Sequence, residues 1–345
     1  MTLAPRLDLP PSAGQLIALP ESFGRRFLVT VDTEEEFDWS LPFARDGHGT
    51  AALGALPHFQ SRMEEAGVRP LYLVDHAVAS DPRAACVANW ARRGSATVGA
   101  HMHPWTTPPY DEALSGPNSF AGNLPSALER AKIVAVTEAL ETLTGERPKV
   151  FRAGRYGVGP NTAAILVELG YTIDVSVRSR FDYGREQGPR FARFPPIPWW
   201  VSPGELLEIP LSGTFAGRAF TGPGRPGLNS LLKKLGLLER LSLTPEGVSV
   251  AAAKAAVLRL LDEDVRLFSL FFHSPSLEPG HTPYVRTPAM LERFWGWWGE
   301  MFDFFSGLGI APIGLEEAAA ACAKAAGKGE GRLPGRPATS AYSLE

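Results

Sequence analysis

The chain has 345 residues, of which 44% are apolar and 21% are charged, and its formal net charge is −3. This composition supports one large domain with a sizeable core, and it argues against a basic surface that would bind nucleic acid. Cys86 and Cys322 stand far apart, which argues against a disulfide framework or a thiolate metal site. The N-terminus lacks the pattern of a signal peptide, and no run approaches about eighteen apolar residues. We therefore expect a cytoplasmic protein without a transmembrane segment.

Short β-branched or apolar runs alternate with helical patterns through most of the chain. The patterns predict strands at 26–31, 69–74, 95–100, 149–152, 171–177 and 265–272, and helices at 51–66, 81–93, 124–144, 161–169, 249–261 and 288–305. Because the strand runs are apolar on both faces, we expect parallel strands that are buried on both sides and joined by right-handed crossovers. The sequence therefore predicts a barrel-like α/β domain.

Three segments stand outside this alternation. Residues 1–24 are rich in proline and aperiodic, which predicts a flexible N-terminal arm, and residues 323–345 have the composition of a disordered tail. A single domain would then cover residues 25–322. Within it, residues 195–245 predict an irregular insertion with a short leucine-rich helix over 228–241. That helix could pack beside the site or make a homo-oligomer contact.

A pair of histidines, His101 and His103, ends the third predicted strand. Residues two apart on an extended strand project from the same face, so both imidazoles can bind one cation. Polar groups also stand at the ends of other predicted strands: the acidic run Asp32-Thr-Glu-Glu-Glu36, Arg152 and His273. Since α/β barrels carry their chemistry at the carboxyl ends of the strands, we expect these groups to form one site.

The residues alone leave open which carboxylate completes a metal site. Glu34, Glu35 and Glu36 follow the first strand, and Asp75 ends the neighbouring second strand. Two imidazoles and one carboxylate would leave positions on the cation for water and for a substrate acyl oxygen. A nearby carboxylate that is not a ligand could then take a proton from the water.

The order of these motifs resembles the polysaccharide deacetylase family, carbohydrate esterase family 4 with its NodB-homology domain, and more narrowly its WalW-like branch. The resemblance covers roughly residues 26–315 and rests on Thr30-Val-Asp-Thr-Glu-Glu-Glu-Phe-Asp-Trp39, Gly99-Ala-His-Met-His-Pro-Trp105, Phe151-Arg-Ala-Gly-Arg-Tyr-Gly157, Tyr171-Thr-Ile-Asp-Val-Ser-Val177 and Phe271-Phe-His-Ser-Pro-Ser276. Three positions differ from the family pattern: Asp32-Thr33 replaces an Asp-Asp doublet, the histidines are two residues apart instead of four, and Gly154-Arg155 replaces a proline. The resemblance implies a distorted (β/α)7-type barrel of the NodB-homology kind.

The resemblance also assigns roles around the metal. Asp32 would be the general base, and Glu34, His101 and His103 would hold the cation. Arg152 would contact the base and keep it ionised.

The remaining roles concern the acyl oxygen, the leaving group and the sugar. By the resemblance, His273 would be the general acid, and Asp174, or Asp182 as a second candidate, would orient it. The backbone N–H at Tyr156 would stabilise the oxyanion. Several loop residues next to the motifs are candidates for substrate binding: Trp39, Trp105, Arg155 and Tyr284.

These observations favour a metal-dependent hydrolase that removes an N-acyl group, such as acetyl, from an amino sugar of a cell-envelope polysaccharide or lipopolysaccharide precursor. We expect zinc as the cofactor, with cobalt, manganese and nickel as alternatives, and a carbohydrate as the partner. One alternative is a deformylase or an allantoinase-like hydrolase of C–N bonds on the same scaffold. A second alternative is an inactive relative that binds carbohydrate.

Overall fold

The computed structural model describes residues 4–38, 41–216 and 239–327. Eleven β-strands lie in these residues: β1 (Arg25–Thr33), β2 (Leu71–Val74), β3 (Thr97–Met102), β4 (Val150–Ala153), β5 (Ile173–Asp174), β6 (Trp199–Ser202), β7 (Leu206–Glu208), β8 (Gly213–Ala216), β9 (Glu239–Ser242), β10 (Leu267–His273) and β11 (Ile310–Pro312). Most of them belong to one central sheet.

The central sheet is a parallel array with short additions at its margins. Seven strands run parallel in the order β10-β1-β2-β3-β4-β5-β7. Strand β6 lies antiparallel to β7, and β11 pairs with the start of β1. The mostly parallel sheet predicted from the alternation of strands and helices is confirmed, and its path matches the (β/α)7 type. No continuous ladder closes the barrel among the described residues.

Eight α-helices lie in the described part of the chain: α1 (Leu56–Glu65), α2 (His76–Ala79), α3 (Ala85–Arg92), α4 (Ser126–Thr144), α5 (Thr162–Glu168), α6 (Val250–Asp262), α7 (Pro288–Gly307) and α8 (Leu315–Ala326). They cover the sheet with apolar faces, as parallel strands buried on both sides require. Helix α7, for example, packs Phe305 on Phe27 of β1, with ring centroids 4.8 Å apart. None of the helices described is both long and apolar enough to cross a membrane.

The predicted insertion at 195–245 contains strands. Strands β6 and β7 extend the central sheet, and β8 and β9 form a separate antiparallel pair. Next to β9, Leu243 bridges to Leu270 of β10, so this segment lies beside the open edge of the barrel. Of the helix predicted over 228–241, residues 228–238 lie outside the described residues, and residues 239–241 are extended because they pair with β8. The helix prediction is therefore wrong for its last three residues.

The register of the sheet brings the predicted polar groups to one edge. Asp32 at the end of β1 is the register partner of His273 in β10, and His101 of β3 is the partner of Arg152 in β4. Because all four strands are parallel, their carboxyl ends lie on the same side of the sheet.

The N-terminal segment is packed, so the prediction of a flexible arm is wrong for residues 4–24. Leu7 is fully buried, and Ile17 and Leu19 are buried as well. The backbone N–H of Ile17 donates to the carbonyl of Pro198 at 2.9 Å, which ties the segment to the start of β6. Prolines interrupt the periodicity of this segment without removing its apolar side chains. At the other end, α8 continues to Ala326, past the predicted domain boundary at 322, and residues 328–345 lie outside the described residues.

We predict that Leu7→Ala lowers the free energy of unfolding by about 2–5 kcal/mol, because it removes a fully buried side chain. The matched control is Leu9→Ala, whose side chain is 51% exposed, and it should cost less than about 0.5 kcal/mol. Urea denaturation followed by circular dichroism measures both. Equal, small effects would mean that the segment is not part of the core.

Candidate metal centre and active site

A pair of facing imidazoles lies at the carboxyl end of the sheet. The Nε2 atoms of His101 and His103 are 3.1 Å apart. Nδ1 of His101 lies 3.2 Å from the carbonyl oxygen of Arg152, and Nδ1 of His103 lies 2.9 Å from Oε2 of Glu35. Because both neighbours act as acceptors, each Nδ1 carries the proton and each Nε2 presents a lone pair. Two facing lone pairs cannot form a hydrogen bond, so this geometry favours a cation between them.

Glu34 supplies a third ligand atom to this pair. Its Oε2 lies 3.3 Å from Nε2 of His101 and 3.4 Å from Nε2 of His103, and all three side chains are buried. A tetrahedral cation with ligands at ~2.0–2.1 Å has ligand-to-ligand separations of roughly 3.3 Å. The three atoms therefore have the mutual spacing of three protein ligands of a zinc-like ion, with a fourth position open.

The protonation states of these side chains also fit a metal. Burial lowers the pKa of His101 to about 3 and the pKa of His103 to about 4, so both rings are neutral near pH 7. Neutral imidazole is the form that binds metal ions. Burial raises the pKa of Glu34 well above its usual range, although the nearby His273 opposes this effect. A divalent cation would displace the proton of Glu34 and compensate the buried charge.

The side chains of Glu34, His101 and His103 form the candidate metal-binding site, which we call the metal cluster. Glu35 supports His103 from the opposite side of its ring. Besides Nδ1 of His103, its carboxylate accepts a hydrogen bond from Nε1 of Trp105 at 2.9 Å and one from Oγ1 of Thr106 at 3.3 Å. A carboxylate in this position fixes the tautomer and the orientation of a metal-binding imidazole.

The other acidic candidates lie farther from the two Nε2 atoms. Asp75 accepts a hydrogen bond from the backbone N–H of Glu35 at 2.9 Å, and burial followed by the charge of Glu35 raises its pKa well above the usual range. Glu36 accepts from the backbone N–H of Ala52 at 2.7 Å and lies 3.3 Å from Nδ1 of His281. Of the four carboxyls left open by the sequence, Glu34 is the one that faces both Nε2 atoms.

Gly154 allows the turn after β4 to pass directly beside His103. A Cβ atom at position 154 would lie 2.2 Å from Cδ2 of His103 and 2.7 Å from the carbonyl oxygen of Met102. The next two residues, Arg155 and Tyr156, have φ values of 52° and 60°, which is the left-handed region. The turn thus brings Gly154 against His103, two residues before Tyr156, the predicted oxyanion donor.

Asp32 lies between a permanent cation and a histidine. Its Oδ1 accepts a hydrogen bond from Nη1 of Arg152, and its Oδ2 lies 3.7 Å from Nε2 of His273. Burial would raise the pKa of Asp32, but Arg152, His101 and His273 outweigh burial and lower it. Asp32 is therefore ionised next to the metal cluster, as its predicted role requires.

His273 is oriented by Glu246, and the prediction that Asp174 does so is wrong. Nδ1 of His273 lies 2.6 Å from Oε2 of Glu246, and the backbone N–H of His273 donates to Oε1 of Glu246 at 3.1 Å. Burial would lower the pKa of His273, but Glu246, Glu34 and Asp32 raise it to about 10. Its ring is therefore protonated, with Nε2 directed towards Asp32.

The sheet order explains why Asp174 does not reach His273. Strand β5 is separated from β10 by β1, β2, β3 and β4 along the sheet. Asp174 instead accepts a hydrogen bond from Oγ of Ser176 at 2.8 Å and lies close to Glu208. The second candidate, Asp182, bonds to the backbone N–H of Gly184 in its own turn. Sequence reasoning missed Glu246 because it is a lone acid in a short turn before α6, without a motif around it.

The predicted substrate-binding residues differ in their surroundings. Trp105 is 3% exposed and stacks on His103 with centroids 4.2 Å apart, so the prediction that it offers a free face to a sugar is wrong. Arg155 contacts Ser119 and Glu186 and lies over the ring of Phe120, which places it on the rim. Tyr284 is 42% exposed on the same side as Glu246. Trp39 lies outside the described residues.

Comparisons with known proteins identify the fold. No protein-family model and no curated protein matches the sequence. Among solved structures, a Mycobacterium smegmatis protein proposed to be a polysaccharide deacetylase matches at a TM-score of 0.53 and 18% identity, covering 96% of this chain and 99% of that chain. The chain therefore has the fold of a polysaccharide deacetylase.

Two further solved structures match at lower TM-scores. A family 4 carbohydrate esterase from Streptomyces lividans has 13% identity and a TM-score of 0.41, and the match covers 84% of this chain and 92% of that chain. The chitin deacetylase from Colletotrichum lindemuthianum has 13% identity and a TM-score of 0.43, with 90% and 91% covered.

We predict that His101→Ala and His103→Ala each abolish stoichiometric zinc binding, because too few protein ligands remain. Glu35→Gln should weaken zinc binding by about 10–100-fold, as loss of a partner of a ligating histidine does. His58→Ala, a change on the exposed face of α1, is the control and should bind zinc normally. Elemental analysis and chelator competition measure these effects. Normal zinc content in both histidine variants would refute the assignment.

Proposed function

We propose that this protein belongs to the polysaccharide deacetylase family and is a metal-dependent hydrolase that removes an N-acyl group from an amino sugar. The observation that carries the proposal is the convergence of Nε2 of His101, Nε2 of His103 and Oε2 of Glu34 beside an ionised Asp32. A three-ligand set with an open position and an adjacent free carboxylate is the arrangement of hydrolytic metal sites.

In this proposal Glu34, His101 and His103 hold a divalent cation. When bound, such an ion polarises the acyl carbonyl and makes a neighbouring water more acidic. Asp32 accepts the proton of that water through Oδ2, since Oδ1 is engaged by Arg152. The contact with Arg152 keeps the carboxylate ionised and fixes its orientation, so that no rearrangement is needed when the proton is transferred.

His273 acts on the leaving group in the same proposal. Its Nδ1 is bonded to Glu246, so the proton on Nε2 is the one directed into the site. Transfer of this proton to the amine nitrogen lets the C–N bond break without forming an amide anion. Glu246 stabilises the charged ring before transfer and restores its tautomer afterwards.

We propose a cell-envelope polysaccharide or lipopolysaccharide precursor as the substrate, zinc as the metal, and the cytoplasm as the location. Membership in the WalW-like branch stays a prediction. A screen over N-acetylated and N-formylated amino sugars, with zinc, cobalt, manganese and nickel compared, tests this proposal by measuring acetate and formate release. Release of formate alone would support the deformylase alternative. Binding of sugars without any turnover would support the inactive relative.

We predict that Asp32→Asn keeps its metal and loses amide hydrolysis by about 10²–10⁴-fold, because it removes the proton acceptor without removing a ligand. Glu34→Gln should instead weaken metal binding. Metal content and rate, measured on the same preparations, separate the two roles. The opposite pattern would exchange Asp32 and Glu34.

We predict that His273→Ala lowers the rate of amide hydrolysis by about 10²–10⁴-fold at unchanged metal content. An activated aryl ester needs no proton on its leaving group, so its rate should fall much less. Glu246→Gln should also raise the ratio of the ester rate to the amide rate, as His273→Ala does, since it weakens the hydrogen bond that holds the ring of His273.

Asp174→Asn is the control for this pair, because Asp174 makes no contact with His273, and it should keep the wild-type ester-to-amide ratio. If ester and amide rates fall by the same factor in His273→Ala, then His273 is not the acid.

A further inference from the structure

Arg178 is a cation beside the candidate active site that the mechanism above does not use. It follows β5 and is half-buried among aromatic rings. Its guanidinium carbon lies 3.8 Å from the ring centroid of Phe181, 5.1 Å from that of Phe271 and 5.3 Å from that of Tyr156. Aromatic faces hold a guanidinium in place and attract its charge without neutralising it.

The polar partners of Arg178 are neutral. Nε donates to Oγ of Ser242 at 2.9 Å, and Nη1 donates to the hydroxyl of Tyr183 at 3.2 Å. Within the described ranges, no carboxylate lies within 4.0 Å of this guanidinium, and Nη2 has no hydrogen-bond partner. Of the residues outside those ranges, 1–3, 39–40 and 217–238 contain neither Asp nor Glu, and 328–345 contain Glu330 and Glu345.

Neighbouring arginines of the same region each have a carboxylate. Arg152 contacts Asp32, Arg155 contacts Glu186, and Arg180 contacts Glu263. Arg178 differs from these three arginines because no carboxylate of the described residues pairs with it. Aromatic rings hold it instead. A partly desolvated cation without a counter-charge is costly, and a ligand that supplies an anion would offset that cost.

Arg178 is linked to the candidate active site through two of its aromatic contacts. The ring of Phe271, one of its aromatic contacts, lies 6.2 Å from the ring of His273, the proposed acid. The ring of Tyr156, another contact, belongs to the turn beside His103. An anionic group on the sugar could thus meet Arg178 while the acyl group lies at the metal cluster.

We propose that Arg178 binds a carboxylate or phosphate group of the substrate, so that the amino sugar deacylated by this protein is an anionic one. This inference rests on the proposed function. Nη2 of this guanidinium keeps its N–H groups for a ligand, and hydrogen bonds from a guanidinium to a carboxylate or phosphate oxygen are strengthened by charge.

The test compares three N-acetylated sugars with the full-length, zinc-loaded protein: the neutral N-acetylglucosamine trimer, N-acetylmuramic acid with a carboxylate, and UDP-N-acetylglucosamine with a diphosphate. We expect kcat/KM to favour at least one anionic sugar. Arg178→Gln should lower the ratio of anionic over neutral kcat/KM by about 10–100-fold, the range expected for loss of a charge-assisted hydrogen bond. Arg178→Lys, which keeps the charge without the fork, should retain part of the ratio.

The matched control is Arg130→Gln, which removes an exposed arginine of α4 that pairs with Glu168 on the surface. It changes the net charge equally and should leave the ratio at the wild-type value. Thermal melts of all variants identify any loss of folding. If Arg178→Gln does not fold, the ratio measured for Arg178→Lys decides whether Arg178 binds the anionic group. A higher kcat/KM for N-acetylmuramic acid identifies a carboxylate as the group recognised, and a higher kcat/KM for UDP-N-acetylglucosamine identifies a phosphate.

Equal ratios in wild-type protein and Arg178→Gln would overturn the inference and leave the proposed function intact. Absence of acetate release from every sugar would count against the proposed function, and calorimetric binding of the same sugars would then decide the role of Arg178. Weaker binding of an anionic sugar by Arg178→Gln supports the anion site. No difference in binding between wild-type protein and this variant refutes it.

Discussion

The tautomers of His101 and His103 are the constraint on which the site depends. The register of β3 with β4 places the carbonyl oxygen of Arg152 at Nδ1 of His101, and Glu35 occupies Nδ1 of His103. Both rings must then direct their lone pairs inward, where only a cation or a donor can satisfy them. Gly154 is part of the same arrangement, since any side chain there would displace the ring of His103. The candidate metal centre is thus determined by backbone geometry as much as by the side chains that would hold the cation.

The buried acids would give a bound metal a second role, in stability. Glu34 and Asp75 are buried, and burial raises the pKa of each well above its usual range. Folding without a cation therefore requires these groups to take up protons or to bear uncompensated charge. A cation that binds the folded state alone shifts the folding equilibrium by mass action, and the protons displaced from the ligands couple that shift to pH. Asp32 is different, because Arg152 stabilises its charge whether or not a metal is bound.

Local pattern was sufficient for the features that strand ends determine. The facing histidines follow from a spacing of two in a strand. The contact of Arg152 with Asp32 was implied by the family resemblance, and parallel strands that end on one side permit it. Glu246 could not be found in this way, because its contact with His273 depends on how a loop returns to the sheet edge. Asp174 was predicted for that position on motif order alone, but strand order in space keeps it on the far side of β4. Chain order is a poor guide to distance wherever the two orders differ.

The two halves of the site are built from different kinds of structure. The half that would hold the metal uses ends of adjacent parallel strands, whose positions the hydrogen-bond ladders hold. The half that contains His273, the proposed acid, depends on one short segment, in which Ser242 contacts Arg178, Leu243 bridges to β10, and Glu246 orients His273. A change in this segment would therefore move the proposed anion contact and the proposed general acid together. In the proposed function, substrate preference and leaving-group chemistry are therefore physically coupled, while metal affinity is set independently by the strands.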